Sequence, residues 1–438
     1  MFKSAFVIEM KENKETFCEW FRLDNAAVIF SLISSPRIPA LFRLSATLKE
    51  PINVKLLQTA LNRTIIRFPY FRVNLRPGLF WYYLRKLRTF PRVEADSKYP
   101  CKELRVRKRD TFPFRVRAFQ NRIAVEFHHS ITDGTGGIIF LKTLVVEYLK
   151  LRGVKASNIE GVFDISDEPD FEEYEDSYKK FYDKDLPSIK LPPKAFRLPY
   201  KLEKEGVYHV TTGIIPVKEF IKKAKEYNVT VTEFLVAIYL DSLQEIQFNL
   251  LKNEPKRKLK PIRVSIPINL RRIYPSKTMR NFSLFVTPGI DPRLGRFTFD
   301  EIVKEVFHFM RTELNDKYIS QSIRQNVRAE LNPILRIMPL FVKKLFGRLI
   351  YMSYGEKRYS GSLSNLGLVK LPPEIEEHIE DFQFLPGTNP TRKVSCGVVS
   401  FKNKMYINFG NVSDCKELEK IFFRKIVKMG IPVKVESN

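Results

Sequence analysis

Only five histidines occur in the 438 residues, and two of them, His128 and His129, are adjacent. They open the run His128-His129-Ser130-Ile131-Thr132-Asp133-Gly134, with the spacing His-His-x-x-x-Asp-Gly. An imidazole that is neutral near physiological pH can take a proton from a hydroxyl or amine nucleophile, which is general-base work. Neighbouring strand residues point to opposite faces, so His128 should point away from the face that His129 serves, and for His128 the structural reading is favoured. Gly134 permits a tight turn after Asp133, whose carboxylate can bond the backbone or pair with a distant cation and so hold the loop. A plainer reading stands beside this one: two strand-end histidines, one buried and one wet, with Asp133 capping the next helix. The four cysteines are far apart, with no C-x-x-C pair and no second histidine cluster, so no zinc, redox or other metal site is expected.

The elements that must position this run are legible around it. Pro113 to Phe119 and Arg122 to Phe127 read as strands flanking a Gln120-Asn121 turn, and the second leads straight into His128. After Gly134, Gly136 and Gly137, a helix with apolar spacing is expected from Ile138 to Leu149. Upstream, Val54, Leu57, Leu61 and Ile65 predict a helix ending near Phe68-Pro69, followed by a hairpin around Pro77-Gly78. Between Glu160 and Asp185, eleven acidic residues stand against three lysines, a balance of about −8 that marks a boundary. Lys190 to Tyr200, with three prolines, reads as an extended connector. Beyond it come helices over Pro216 to Tyr227 and Val231 to Gln247, the second with the Thr230 and Glu233 of a capping box. A short strand is expected at Arg263 to Pro267, a helix from Thr298 to about Leu314, and strands Val394 to Phe401 and Lys404 to Phe409. The alternation is too irregular for a doubly wound sheet. The expected fold class is mixed α/β (α+β) in two domains: 1–185 carrying the histidine run, a linker at 186–205, and 206–438.

These residues resemble the chloramphenicol acetyltransferase-like superfamily, which includes condensation domains, plant acyltransferases and alcohol acetyltransferases. The likeness extends to Leu23-Asp24-Asn25-Ala26-Ala27, to Arg67-Phe68-Pro69-Tyr70-Phe71-Arg72 with Gly78-Leu79-Phe80-Trp81, to Pro267-Ile268-Asn269-Leu270-Arg271, to Arg280-Asn281-Phe282 and to Ser364-Asn365-Leu366-Gly367. It implies two similar lobes, each a mixed sheet with helices, around an active-site tunnel, and acyl transfer from a coenzyme A or carrier-protein thioester to an alcohol or amine with no covalent acyl-enzyme. It implies His129 as catalytic base, Asp133 paired with Arg271 across the lobes, and Ser364, or Asn365 beside it, as oxyanion stabiliser; Asn269 and Asn281 would support the site. A Ser-Asn-x-Gly sequence is also a common turn, and both readings of it stay open. Arg280 stands where many members have glycine. The Asp-Phe-Gly-Trp-Gly signature of the plant enzymes and the Ser-x-x-Pro-Trp of the chloramphenicol enzymes are absent, so neither branch lends its substrates.

Composition excludes disorder, collagen-like repeats and a disulfide-stapled miniprotein: 44 % of residues are hydrophobic, with 36 Phe and 18 Gly. The net charge of +26 would attract coenzyme A, an acidic carrier protein or an anionic membrane. Pro339 to Tyr354 reads as a basic amphipathic helix, with Phe341, Leu345 and Leu349 to one side and Lys343, Lys344 and Arg348 to the other; packing on its own lobe is the plainer expectation. Arg105 with Arg107-Lys108-Arg109, and Lys256 to Lys260, are basic runs without a nucleic-acid module, so no specific nucleic-acid partner is expected. Competing functions are an inactive condensation-like binding protein and a basic membrane-surface or nucleic-acid-binding protein. Glu9, Lys11 and Glu12 interrupt any leader-like run and no stretch of about 18 apolar residues occurs. The expectation is a cytoplasmic monomer, with peripheral contact to an anionic membrane left open, and no bound cofactor beyond the thioester co-substrate.

Overall fold

The computed structural model describes residues 19–155, 161–187, 189, 192–351 and 356–438. Glu9, Lys11, Glu12, Cys18, Glu160, Lys190 and the expected helix end at Tyr354 lie outside them. The chain runs β1 (Trp20–Arg22), α1 (Asn25–Ile33), β2 (Leu41–Leu48), α2 (Val54–Arg67), hairpin β3 (Val73–Pro77) and β4 (Tyr82–Lys86), and β5 (Val93–Ala95). Next come hairpin β6 (Phe114–Phe119) and β7 (Arg122–His128), α3 (Gly134–Leu151) and the short α4 (Ser177–Lys180). It continues through β8 (His209–Pro216), α5 (Val217–Glu226), α6 (Val231–Leu250), β9 (Ile262–Asn269), β10 (Ser283–Val286), β11 (Gly289–Ile290) and α7 (Phe299–Glu313). Then follow α8 (Asp316–Leu331), α9 (Pro333–Ile337), α10 (Leu340–Ile350), β12 (Gly361–Val369), α11 (Pro373–Glu376) and β13 (Ile379–Leu385). Hairpin β14 (Val394–Phe401) and β15 (Lys404–Asn411), α12 (Glu417–Lys428) and β16 (Lys434–Ser437) complete it.

Two principal mixed α/β layers result. One sheet has the order β13-β2-β7-β6-β5, and the other runs β10-β9-β12-β14-β15-β8-β16 with β11 also on β9. The apolar faces collect into two main cores. Phe42, Phe68, Phe127 and Phe140 fall in the first, and Phe234, Ile262, Phe409 and Phe422 in the second.

The sheets do not follow the expected division at residue 206. β13 leaves the second half of the chain and pairs antiparallel with β2, Phe382 opposite Ala46 and Phe384 opposite Leu44. Burial of Ile379, Phe382 and Phe384 in the first core draws it there, and it covers what would be an open edge of β2. The connector, read as a spacer, buries Phe196 and Leu198 in the second core. The acidic stretch is likewise more than a boundary. Glu173 is buried and accepts from both Arg67 Nη1 (2.7 Å) and Nη2 (2.6 Å) and from Tyr70 Oη (3.0 Å).

Helix ends follow the capping chemistry. Thr230 with Glu233, and Thr298 with Glu301, form reciprocal capping boxes. α3 begins four residues before the expected Ile138, because Asp133 Oδ1 accepts from the amides of Thr135 (3.1 Å) and Gly136 (3.2 Å) and so stabilises a glycine-rich first turn. α10 departs from the expected orientation. Lys343 points inward, its Nζ 2.8 Å from the Phe80 carbonyl and 3.2 Å from the centre of the Trp81 ring, while Phe341 and Leu345 face solvent. Leu340, Lys343 and Gly347 share the inner face at helical spacing, and Gly347 faces Leu32 of α1.

Basic runs are partly spent on internal bonds. Arg107 Nη2 donates to the carbonyls of Ser31 (2.7 Å) and Ser34 (3.1 Å) at the end of α1, where a cation complements the helix dipole. Arg43 and Arg115 converge on buried Glu126.

Candidate active site

β7 ends at His128, whose side chain is fully buried. Its Nδ1 accepts from the Ser130 amide at 3.1 Å, and burial lowers its pKa from 6.5 to about 3. It is therefore a neutral structural histidine, as the strand alternation suggested.

His129 turns the other way and is half-buried. Its ring lies against Phe30 of α1 (centroids 4.4 Å apart, planes at 20°) and Phe42 of β2 (4.7 Å, 39°). Its Nδ1 is 3.2 Å from the Thr132 carbonyl and 3.4 Å from Asn281 Oδ1. A backbone carbonyl only accepts, so Nδ1 must carry the proton. The Asn281 amide agrees: its Nδ2 donates to the His129 carbonyl (2.9 Å) and to both oxygens of Asp24 (3.2 and 3.1 Å), which turns Oδ1 toward His129. The tautomer is thereby assigned from the network, and Nε2 is left with its lone pair.

Burial lowers the His129 pKa from 6.5 to about 4, opposed by Asn281, Asp133 and the Thr132 carbonyl and assisted by the charge of Arg392. Both histidines are thus neutral in the folded state where an unfolded chain would already take up protons. The stability they contribute is complete above about pH 6.5 and is lost as pH falls toward about 4. A His128→Gln variant should show a shallower fall of melting temperature between those limits; an unchanged slope would contradict the burial argument.

Asp133 serves two elements at once. While Oδ1 caps α3, Oδ2 accepts from Arg271 Nη1 (2.9 Å) and from the Phe282 amide (2.8 Å). Both side chains of this ion pair are about nine-tenths buried or more. Arg271 is itself held by Asn269 Oδ1 (3.1 Å), by the Thr278 carbonyl (2.7 Å) and by the Arg280 carbonyl. The expected cap and the expected long-range ion pair with Arg271 are therefore both present, because one carboxylate has two oxygens.

Arg280 closes the back of the site. It lies 3.5 Å from Asp24 Oδ2 and donates to the carbonyls of Arg22 (2.6 Å) and Tyr174 (3.1 Å). Burial raises the Asp24 carboxyl to about 6 even with Arg280 beside it. Two close approaches fix the loop. A Cβ on Gly134 would stand 2.8 Å from Leu366 Cδ2, and one on Gly136 only 2.2 Å from Thr132 Oγ1 and 2.3 Å from the Met279 carbonyl. Gly136→Ala should therefore cost about 1–3 kcal/mol in denaturant unfolding, because it also strains the 2.6 Å bond from Thr132 Oγ1 to the Met279 carbonyl; a neutral result would mean that the loop can shift freely.

His129, Asp133, Gly134, Asn269, Arg271 and Asn281 are thus brought together. Asn365 is used differently: its Nδ2 donates to Thr232 Oγ1 (3.1 Å) and its Oδ1 accepts from the Gly367 amide (2.9 Å), with Gly367 at φ +80°. That is the turn reading of Ser-Asn-x-Gly. Ser364 is half-buried on β12, opposite Gly397 of β14, and among the described residues no hydrogen bond joins it to His129. Concavities lined by Gln58, Asn62 and Phe112, and by Leu48, Arg152 and His378, lie outside this cluster.

The sequence reading gave no site role to Asp24, Phe30, Phe42 or Arg392. Asp24 stood in one of the resembling segments, but it also caps α1, accepting from the Ala27 amide at 2.8 Å, so its type and position were explained without a site. Among the described residues, no group of three or more His, Cys, Asp or Glu is placed to hold a metal ion.

The sequence profile of alcohol acetyltransferases matches residues 203–429, just over half of the chain. The chain belongs to the alcohol acetyltransferase family. No curated protein sequence matches it. Its fold is similar to that of TRI3 trichothecene 15-O-acetyltransferase from Fusarium sporotrichioides, at 9 % identity over 94 % of each chain with a TM-score of 0.61. It is also similar to TRI101 of the same fungus, complexed with coenzyme A and T-2, at 12 % identity over 94 % of this chain and 99 % of that one, TM-score 0.58. The first condensation domain of the CDA synthetase matches at 12 % identity over 92 % and 94 %, TM-score 0.56. These neighbours share the two-lobed chloramphenicol acetyltransferase-like fold, and the chain is an acyltransferase by family. The family match contains Asn269, Arg271, Asn281 and Ser364 but starts after His129, so in this chain the tertiary contacts are what join the histidine run to the matched segment.

Proposed function

We propose that the chain transfers an acyl group from a coenzyme A or carrier-protein thioester to an alcohol or amine, with His129 as general base. The observation that carries this is the fixed Nδ1–H of His129, bonded to the Thr132 carbonyl and Asn281 Oδ1, which leaves Nε2 free to accept a proton. As the acceptor oxygen or nitrogen bonds to the thioester carbon, its proton passes to Nε2. The tetrahedral oxyanion then collapses, the C–S bond breaks, and Nε2–H returns the proton to the leaving thiolate. Products are an ester or amide and a free thiol, and no covalent enzyme intermediate is needed.

Family membership supports an alcohol acceptor, and the coenzyme A in the TRI101 complex belongs to a protein of the same fold. The +26 net charge favours a polyanionic donor. On the family resemblance, Ser364 is the oxyanion donor. Ser364→Ala should then lower kcat by about 10²-fold with little change in KM, since such donors act on the transition state; an unchanged kcat would remove Ser364 from the mechanism.

The activity is tested by thiol release from acetyl-coenzyme A and longer acyl-coenzyme A donors, with a panel of alcohols and amines and mass spectrometry of the products. Acylated product formed by the wild type and not by His129→Ala supports the reading. Failure of coenzyme A and carrier-bound donors alike would favour an inactive binding scaffold.

A further inference from the structure

Among the described residues, large apolar side chains of α10 stand exposed. Phe341 is 74 % exposed and Leu345 68 %, one helical turn apart, with Phe346 beside them at 49 %. Ile334 and Ile337 of α9 are 68 % and 72 % exposed, and Leu79 at the tip of the β3–β4 hairpin is 73 % exposed. The hairpin tip and α10 are fastened together. The Leu340 amide donates to the Leu79 carbonyl at 2.9 Å, and Lys343 Nζ donates to the Phe80 carbonyl at 2.8 Å while lying over the Trp81 ring. Exposed large apolar side chains this numerous and this close mark an interaction surface.

Charge indicates what kind. The two segments that build the patch, 68–92 and 331–350, contain ten Lys and Arg and no Asp or Glu. Arg336 and Lys344 are exposed among the apolar side chains, and Arg85 and Arg88 are exposed on the hairpin side. Apolar side chains ringed by cations, with no carboxylate in either segment, complement an anionic lipid surface: the former enter the acyl region and the latter meet the headgroups. No described helix is long and apolar enough to cross a membrane, so the geometry fits lying on the surface.

We propose that α9, α10 and the β3–β4 tip form a docking face for an anionic phospholipid bilayer. Docking there would bring α1, against which α10 packs through Gly347 and Leu32, close to the lipid. α1 carries Phe30, which stacks on His129. The docking itself rests on the exposed residues and their charge, and does not depend on the catalytic reading.

The test is flotation of the full chain with vesicles of phosphatidylcholine alone or mixed with phosphatidylserine. Flotation with the mixed vesicles and much less with phosphatidylcholine is expected. Phe341→Ser/Leu345→Ser should lower the bound fraction by about tenfold or more, since two large apolar side chains no longer leave water, with no loss of melting temperature because both are exposed in the free protein. Arg336→Gln/Lys344→Gln should reduce the preference for phosphatidylserine while leaving the fold intact. The proposal is overturned if the wild type does not float with the mixed vesicles or if the Phe341/Leu345 variant floats equally well. It also fails if those substitutions convert a lipid-free dimer to monomers, which would assign the patch to a second copy of the chain.

Discussion

His129→Ala should lower acyl-transfer turnover by about 10²- to 10⁴-fold, the range by which a positioned general base accelerates proton transfer. The reason lies in the partition of the two ring nitrogens. Nδ1 is committed to the Thr132 carbonyl and Asn281 Oδ1, so Nε2 holds the available lone pair. Because alanine also removes a ring packed between Phe30 and Phe42, loss of packing must be separated from loss of chemistry. His129→Gln retains volume and a donor for the Thr132 carbonyl but provides no imidazole base. Both variants should be similarly inactive, with glutamine the more stable in thermal unfolding. Turnover near the wild-type rate in either would remove His129 from the mechanism. With its pKa lowered to about 4, the base is already neutral over the physiological range, so kcat/KM should show no loss assignable to His129 from neutrality down to about pH 5, and should fall below that as Nε2 protonates. A limb of His129 at the ordinary histidine pKa, identified by its absence in His129→Gln, would mean that the ring is solvated rather than enclosed.

Asp133→Ala should be strongly destabilising as well as inactivating. The substitution removes the partner of a buried guanidinium and simultaneously deprives the amides of Thr135, Gly136 and Phe282 of their acceptor. Breaking a buried ion pair by removing one partner costs about 3–5 kcal/mol, because the remaining charge is left uncompensated. Denaturant unfolding measures this directly. Asn is a poor substitute here, since its NH2 group must face donors on one side whichever way the amide is turned. Arg271→Ala spares the α3 cap, so it should cost less than Asp133→Ala, and the double variant should cost less than the sum of the single ones because neither charge is then stranded. Additive costs would mean that the pair contributes nothing beyond its separate bonds. If Asp133 matters only through stability, activity per folded molecule should survive in the cold; loss of kcat there identifies a displaced His129 loop.

Much of the local frame could be read in advance. The two strands before His128, the capping boxes at Thr230 and Thr298, and the β14–β15 hairpin each depend on neighbours within a few residues, where periodicity and capping chemistry act. The histidine run was also legible: strand alternation put His128 and His129 on opposite faces, and the family resemblance, not alternation, singled out His129 as base. Errors arose where local signals were ambiguous. The glycines after Asp133 looked like a loop and are helical, because the aspartate carboxylate satisfies the first turn. α10 looked like a helix with its apolar face turned to the core, yet Lys343 found a carbonyl and an indole face inside and left Phe341 and Leu345 outside.

The sequence by itself determined the strand end that carries the histidine run, the carboxylate that follows it and the capping boxes at Thr230 and Thr298, all of which rest on short-range physics; the role of His129 as base came from the family resemblance and is part of the proposal. Tertiary structure decided which His129 nitrogen is free, because that depends on Asn281 and, through it, on Asp24, 257 residues away along the chain. It also decided that β13 returns to the first sheet. Apolar pattern marks a strand for burial but does not say against which core, and only the packed chain makes that choice.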